Sequence, residues 1–135
     1  MATIIWNNTL SVGVRQIDEQ HQQLIQLIND LNSAMKSGKG KDVLAQTLKG
    51  LADYTVNHFK VEEDYFDRFS YPDRFIHKRA HSEFVAKVDG FKASLENGQL
   101  ALSVQVMTFL SQWLLQHIQG ADKKYSTFFA AQGLK

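Results

Sequence analysis

Residues 44–69 read LAQTLKGLADYTVNHFKVEEDYFDRF. Within them Leu44, Leu48, Leu51, Thr55, His58, Glu62, Phe66 and Phe69 recur at steps of three and four, the spacing of one face of an α-helix. A face this apolar belongs in a core, yet it carries an imidazole and a carboxylate one turn apart. Burying either without a partner costs about 1–3 kcal/mol. Whatever packs against this face must therefore satisfy both groups.

The same pattern recurs on either side. A first block holds Ile17, His21, Leu24, Ile28, Leu31 and Met35 and stops at a Gly38-Lys39-Gly40 turn. Pro72, after Tyr71, suits the first turn of a third helix carrying His77, His81, Phe84, Val88, Phe91 and Leu95, which ends before Asn97-Gly98. Ser103 suits the cap of a fourth, with Val106, Leu110, Trp113 and His117 on one face. Gly120 interrupts that helix, and a short stretch with Tyr125, Phe128 and Phe129 follows. The expected fold is all-α: an up-down-up-down four-helix bundle of helices ~15–25 residues long, with a short C-terminal helix. Residues 1–12 read as an N-terminal arm with Ile4, Ile5 and Trp6 available to pack across the bundle, and residues 1–135 as one domain.

Composition narrows the function. Hydrophobic residues make up 44% of the 135 and charged residues 21%, as in a globular protein with a real core. Fifteen Lys+Arg against 14 Asp+Glu argue against a nucleic-acid footprint or an anionic-membrane patch. There is no cysteine, which excludes disulfides, thiolate-bound zinc, iron–sulfur clusters and a cysteine nucleophile. No apolar run approaches the ~20 residues that span a bilayer, so no membrane insertion is expected. The first residues lack the basic segment and apolar core of a signal peptide, so the expected location is cytoplasmic. With no evident exposed apolar stripe, the expected state is a monomer.

All five histidines fall into one pattern with a glutamate and an aspartate: His21, His58-x-x-x-Glu62, His77-x-x-x-His81 and His117-x-x-x-x-Asp122. A single core histidine is more often a packed residue than a ligand. Seven such groups on inward faces reverse that expectation, because a metal centre is what neutralises so much buried polarity. Residues at i and i+4 stand ~40° apart around a helix, so His58/Glu62 and His77/His81 each aim two donors inward. His117 and Asp122 are ~140° apart in a regular helix. Asp122 can turn inward only if the helix is irregular there, through a π-bulge or a break near Gly120. One zinc ion needs four ligands, whereas two ions use seven naturally: five terminal imidazoles and two bridging carboxylates. A nitrogen-rich two-ion set suits iron, and ligand type alone leaves copper, nickel and zinc open.

These residues resemble the hemerythrin family, in its single-domain bacterial form. The resemblance spans nearly the whole chain: Trp6, Ser11-Val12-Gly13-Val14, Ile17-Asp18-Glu19-Gln20-His21, His58-Phe59-x-x-Glu62-Glu63, Tyr71-Pro72 before His77-x-x-x-His81, and Trp113-Leu114-x-x-His117-Ile118-x-x-x-Asp122. It implies a non-heme centre of two iron ions (Fe2+/Fe3+) with an oxo or hydroxo bridge. His77, His81 and His117 would hold one iron, His21 and His58 the other, and Glu62 and Asp122 would bridge both. It also implies reversible binding of dioxygen at an open position on the two-histidine iron, for storage, delivery to an oxygen-consuming enzyme, or sensing, with no catalytic residues.

Bound oxygen stays reversible only where no extra proton or electron reaches it, so the open position needs a dry, apolar cap. Phe59, Leu114 and Ile118 are the candidates, with Trp113 resembling the family's tryptophan beside the site; ordinary core packing is the equal alternative for each. Glu63 and Asp64 read first as solvated charges, with a bond to a ligand side chain as the lesser alternative. Tyr125, one turn past Asp122, is within reach of the site but reads first as core filling with an exposed hydroxyl; Gln20, Gln22 and Gln23 read as surface. The rival function is a di-iron enzyme (peroxidase, oxidase or nitric oxide detoxification), which needs a proton donor that no spare histidine supplies. A third reading, an oxygen-responsive interaction module, is weakened because no fused output domain follows Lys135.

Overall fold

The computed structural model describes residues 4–37, 41–96 and 104–134. Four long helices, α1 (Arg15–Lys36), α2 (Lys41–Phe69), α3 (Arg74–Glu96) and α4 (Val104–His117), form an up-down-up-down bundle. A five-residue π-turn, Ile118–Asp122, carries α4 into the short α5 (Lys123–Ala131). The side chains of Leu44 and Leu95, the Gly38-Lys39-Gly40 turn, Asn97-Gly98 and the Ser103 cap lie outside what is described.

Burial follows the periodicity. Ile17, His21, Leu24, Ile28 and Leu31 on α1 are buried, as are Leu48, Leu51, Thr55, His58, Glu62 and Phe66 on α2. On the later helices His77, His81, Phe84, Val88, Val106, Leu110 and His117 are buried too. The apolar residues separate into two clusters. The larger holds Leu24, Phe59, Phe84, Leu114 and Ile118 among others; the smaller holds Val12, Val14, Ile17, Phe66, Tyr71, Tyr125 and Phe129. Along each helix the histidines and carboxylates fall where the chain passes from one cluster to the other. A polar layer thus lies sealed between two apolar plugs.

The arm is fixed by side chains of α1. Asn29 accepts from the Ile4 N–H (3.0 Å) and donates to the Ile4 carbonyl (2.9 Å), while Asp18 accepts from Ser11 Oγ (2.5 Å) and the Val12 N–H (2.8 Å). Between these residues Gly13 takes a φ of +77°, which glycine adopts without strain. Ile4 and Trp6 pack on the larger cluster, but Ile5 is 77% exposed, contrary to expectation. Asn29 ties down the backbone of Ile4 alone, and Ile4 and Trp6 take the places against the cluster, which leaves Ile5 facing solvent.

Pro72 also departs from expectation: it stands in the turn before α3, which begins at Arg74. The reason lies at the end of α2. The Tyr71 N–H donates to the Phe66 carbonyl (2.9 Å) and the Ser70 N–H faces the Asp67 carbonyl (3.4 Å), a Schellman closure with Ser70 at φ +53°. The two residues after it complete the reversal, so α3 starts later. A left-handed serine carries a Cβ penalty that glycine lacks. Ser70→Gly is expected to stabilise the fold by about 0.5–1 kcal/mol, read as a rise of a few degrees in Tm. An unchanged or lowered Tm would contradict this account of the turn. Among the described residues no helix is long and apolar enough to cross a membrane.

Candidate metal centre

The structure brings all seven histidine and carboxylate side chains into the polar layer, each at most 8% exposed. Asp122 arrives there because the π-turn absorbs one extra residue, rotating its carboxylate back beneath His117; their Oδ1–Nε2 separation is 3.0 Å. The irregularity demanded by the five-residue offset is therefore present.

Every imidazole turns its Nε2 inward. His77 Nε2 lies 2.8 Å from Asp122 Oδ1, His81 Nε2 3.1 Å from Glu62 Oε1, and His21 Nε2 3.1 Å from Asp122 Oδ2. His58 Nε2 lies 3.7 Å from Glu62 Oε1. His117 Nε2 sits 3.0 Å from that of His77 and 3.1 Å from that of His81, so three lone-pair nitrogens face one point. The donor atoms fall into two groups, each within 4.8 Å: Glu62, His77, His81, His117 and Asp122; and His21, His58, Glu62 and Asp122. The two carboxylates belong to both.

These short contacts are not a hydrogen-bonded core. Both nitrogens of His21, Glu62 Oε1 and both oxygens of Asp122 are buried without a hydrogen-bond partner. Buried polar atoms are normally paired, and here, apart from the outward His21 Nδ1, the atoms left over are those facing the two foci: His21 Nε2, Glu62 Oε1 and both Asp122 oxygens. Neutral imidazoles and carboxylates left unsatisfied in this way fit two cations sharing two carboxylates. The site is a metal-binding site.

Without metal, protons take up part of that role. Burial opposes charge on His21, but Asp122 and Glu62 overcome it and raise its pKa to about 9. Burial likewise opposes charge on His81, and Glu62 and Glu63 raise it to about 9. His58 goes the other way: burial prevails over the attraction of Glu62 and lowers it to about 4. Burial and Asp122 push Glu62 upward, but the surrounding histidines outweigh both and hold it below its ordinary value. The histidines do the same for Asp122 against its own burial.

Aromatic rings hold the imidazoles in place. Phe59 lies flat on His81 (3.7 Å, 4°), and Trp113 lies flat on His117 (4.4 Å, 12°) and also stacks on Phe84 (4.1 Å). Phe66 closes the other end against His77 at 4.7 Å. Leu114 and Ile118 are buried in the same cluster as Phe59, on the side of the layer away from Tyr125.

Three residues read as surface or filler prove to touch the centre. Gln20 Oε1 lies 2.7 Å from His58 Nδ1, and Glu63 Oε2 lies 2.8 Å from His81 Nδ1. Tyr125 is fully buried and its hydroxyl donates to Glu62 Oε2. Burial, with Asp122 and Glu62 nearby, holds that phenol well above its ordinary value, so it stays a donor. The spacing placed Tyr125 one turn past Asp122, but the direction of its hydroxyl depends on α2. Gln20 and Glu63 pair across helices, and no single-helix period reports that register. Asp64, Gln22 and Gln23 are exposed, as expected.

Residues 12–129 match the hemerythrin HHE cation binding domain. The chain belongs to the hemerythrin family. It is 32% identical to a bacteriohemerythrin of Stenotrophomonas maltophilia over 93% of this chain and 81% of that one. A hemerythrin-like protein of Naegleria gruberi is 36% identical, over 93% and 97%. A crystal structure of wild-type hemerythrin superposes with a TM-score of 0.89 at 27% identity, covering 93% of this chain and 97% of the other. Membership of this hemerythrin family places the five inward Nε2 atoms and two shared carboxylates within a known cation-binding architecture.

Proposed function

We propose that this chain binds dioxygen reversibly at a centre of two iron ions and acts as a carrier or store rather than an enzyme. His77, His81 and His117 would hold one ion and His21 and His58 the other, with Glu62 and Asp122 shared. The observation that supports this most is the overlap of the two donor groups at those carboxylates, with three imidazoles on one side and two on the other. When bound, the iron pair supplies the two electrons and the open coordination position that reversible oxygen binding needs; ions joined by an oxo or hydroxo bridge suit the dry layer between the carboxylates.

The chain's own residues supply protection. The two-histidine side offers fewer protein donors, so it is the half left open to a small ligand. Phe59, Leu114 and Ile118 belong to the apolar cluster that packs against the polar layer; the Phe59 ring lies on His81 (3.7 Å) and reaches His58 (5.9 Å), and Trp113 lies on His117. None of Phe59, Leu114 and Ile118 carries a transferable proton. The nearest phenol, Tyr125, is engaged with Glu62 and belongs to the opposite cluster. A bound oxygen unit would meet no general acid, which favours release over turnover.

Cycling the iron-loaded protein between oxygen and an inert gas while recording its optical spectrum tests this. The expected result is a charge-transfer band that appears with oxygen and disappears without it over repeated cycles. Rapid one-way conversion to the oxidised form, with product turnover, would instead assign the chain to the di-iron enzymes.

A further inference from the structure

Two imidazoles of the centre have their outer nitrogen held by another residue, and the two holders differ in charge. His81 Nδ1–H donates to the Glu63 carboxylate at 2.8 Å, and His58 Nδ1–H donates to the Gln20 amide oxygen at 2.7 Å. A neutral imidazole has one N–H. Committing it to Nδ1 leaves the lone pair on Nε2, which faces Glu62 at 3.1 Å in His81 and 3.7 Å in His58. Both residues therefore preset a tautomer that suits metal binding.

The acceptors act unequally beyond that. A carboxylate carries full negative charge and draws the N–H proton towards itself, which makes the far nitrogen a stronger donor; an amide carbonyl does so weakly. The carboxylate serves the group with His77, His81 and His117, and the amide serves the group with His21 and His58. Phe59, flat against the His81 ring, keeps that imidazole in line with Glu63.

We propose that Glu63 and Gln20 are positioning residues that make the two halves of the centre electronically unequal. Glu63 strengthens donation on the three-histidine half, favouring the higher oxidation state there. Gln20 keeps the two-histidine half the weaker donor and the better acceptor of an incoming ligand. This inference rests on the di-iron reading.

Glu63→Gln and Gln20→Glu test it in the full chain. The Glu63 side chain is 30% exposed along a groove of about 490 Å3 between α2 and α3, so its amide variant buries no new polar group. Glu63→Gln is expected to keep two irons and to shift the oxidised-to-reduced ratio about tenfold towards reduced, ~59 mV per electron. Gln20→Glu should shift it the opposite way. A midpoint potential unchanged in Glu63→Gln, with both irons retained, overturns the proposal. A second measurement, 15N NMR of the zinc-loaded chain, stands apart from iron chemistry. Protonated Nδ1 on His81 and His58 supports the positioning role, and protonation at Nε2 on either overturns it. Failure of the parent chain to take up two irons would refute the di-iron reading, while the NMR result would still decide the tautomer roles.

Discussion

Glu62→Ala is expected to abolish binding of both metal ions while leaving the bundle helical. Glu62 belongs to both donor groups. Its Oε1 stands 3.1 Å from His81 and 3.7 Å from His58, and its Oε2 lies 3.7 Å from His21. Among the described residues, only Asp122 also belongs to both groups. The contrast is His58→Ala, which removes one donor from the four-residue group and leaves the five-residue group intact. It should retain about one ion per chain. Metal analysis after anaerobic reconstitution, alongside circular dichroism, separates the two outcomes. The helices should survive in both variants because the two apolar clusters remain. Two ions retained in Glu62→Ala would show that the carboxylate is not shared.

The second large effect concerns the metal-free chain and pH. His21 and His81 titrate near 9 when folded and near 6.5 when unfolded. Between those values the folded chain holds protons that the unfolded chain has released, so stability falls as pH rises from 6.5 to 9. The loss is about 3 kcal/mol for each histidine. Below pH 6.5 the sign reverses. His58, at about 4 when folded, refuses a proton that the unfolded chain accepts, so stability falls again towards pH 4. Protonation of Glu62 and Asp122, both held below their ordinary values, adds to the loss in acid. The metal-free chain should therefore be most stable near pH 6.5.

Metal binding displaces the protons of His21 and His81, so the metal-loaded chain should lose the decline between 6.5 and 9. Metal uptake should release protons and tighten as pH rises through that range. Urea midpoints of both forms at pH 6.5 and 9 measure this. A flat profile for the metal-free chain would contradict the raised pKa that Glu62, Asp122 and Glu63 give these two histidines.

Much of this was legible in residue spacing. A helical period reports which side chains share a face, and that sufficed to turn His21, His58, Glu62, His77, His81 and His117 inward. Asp122 was legible through its misfit: a five-residue offset on a regular helix points away, and the π-turn Ile118–Asp122 is the geometry that reconciles it. Contacts that depend on how helices slide past one another were not legible. Gln20 on α1 meets His58 on α2, Glu63 on α2 meets His81 on α3, and Tyr125 on α5 meets Glu62 on α2. Each is set by inter-helix register, about which one-dimensional periodicity is silent. Local backbone closure escaped for a similar reason. A left-handed serine at position 70 gives no sequence signal as strong as glycine, so Pro72 was read inside the first turn of α3 although it stands two residues before it.

The most direct test is the amount of dioxygen taken up per iron by the fully reduced, iron-loaded chain, followed by release under vacuum. A shared centre with one open half predicts one dioxygen for every two irons, recovered intact on evacuation. One dioxygen per iron, or oxygen consumed without recovery, would contradict it.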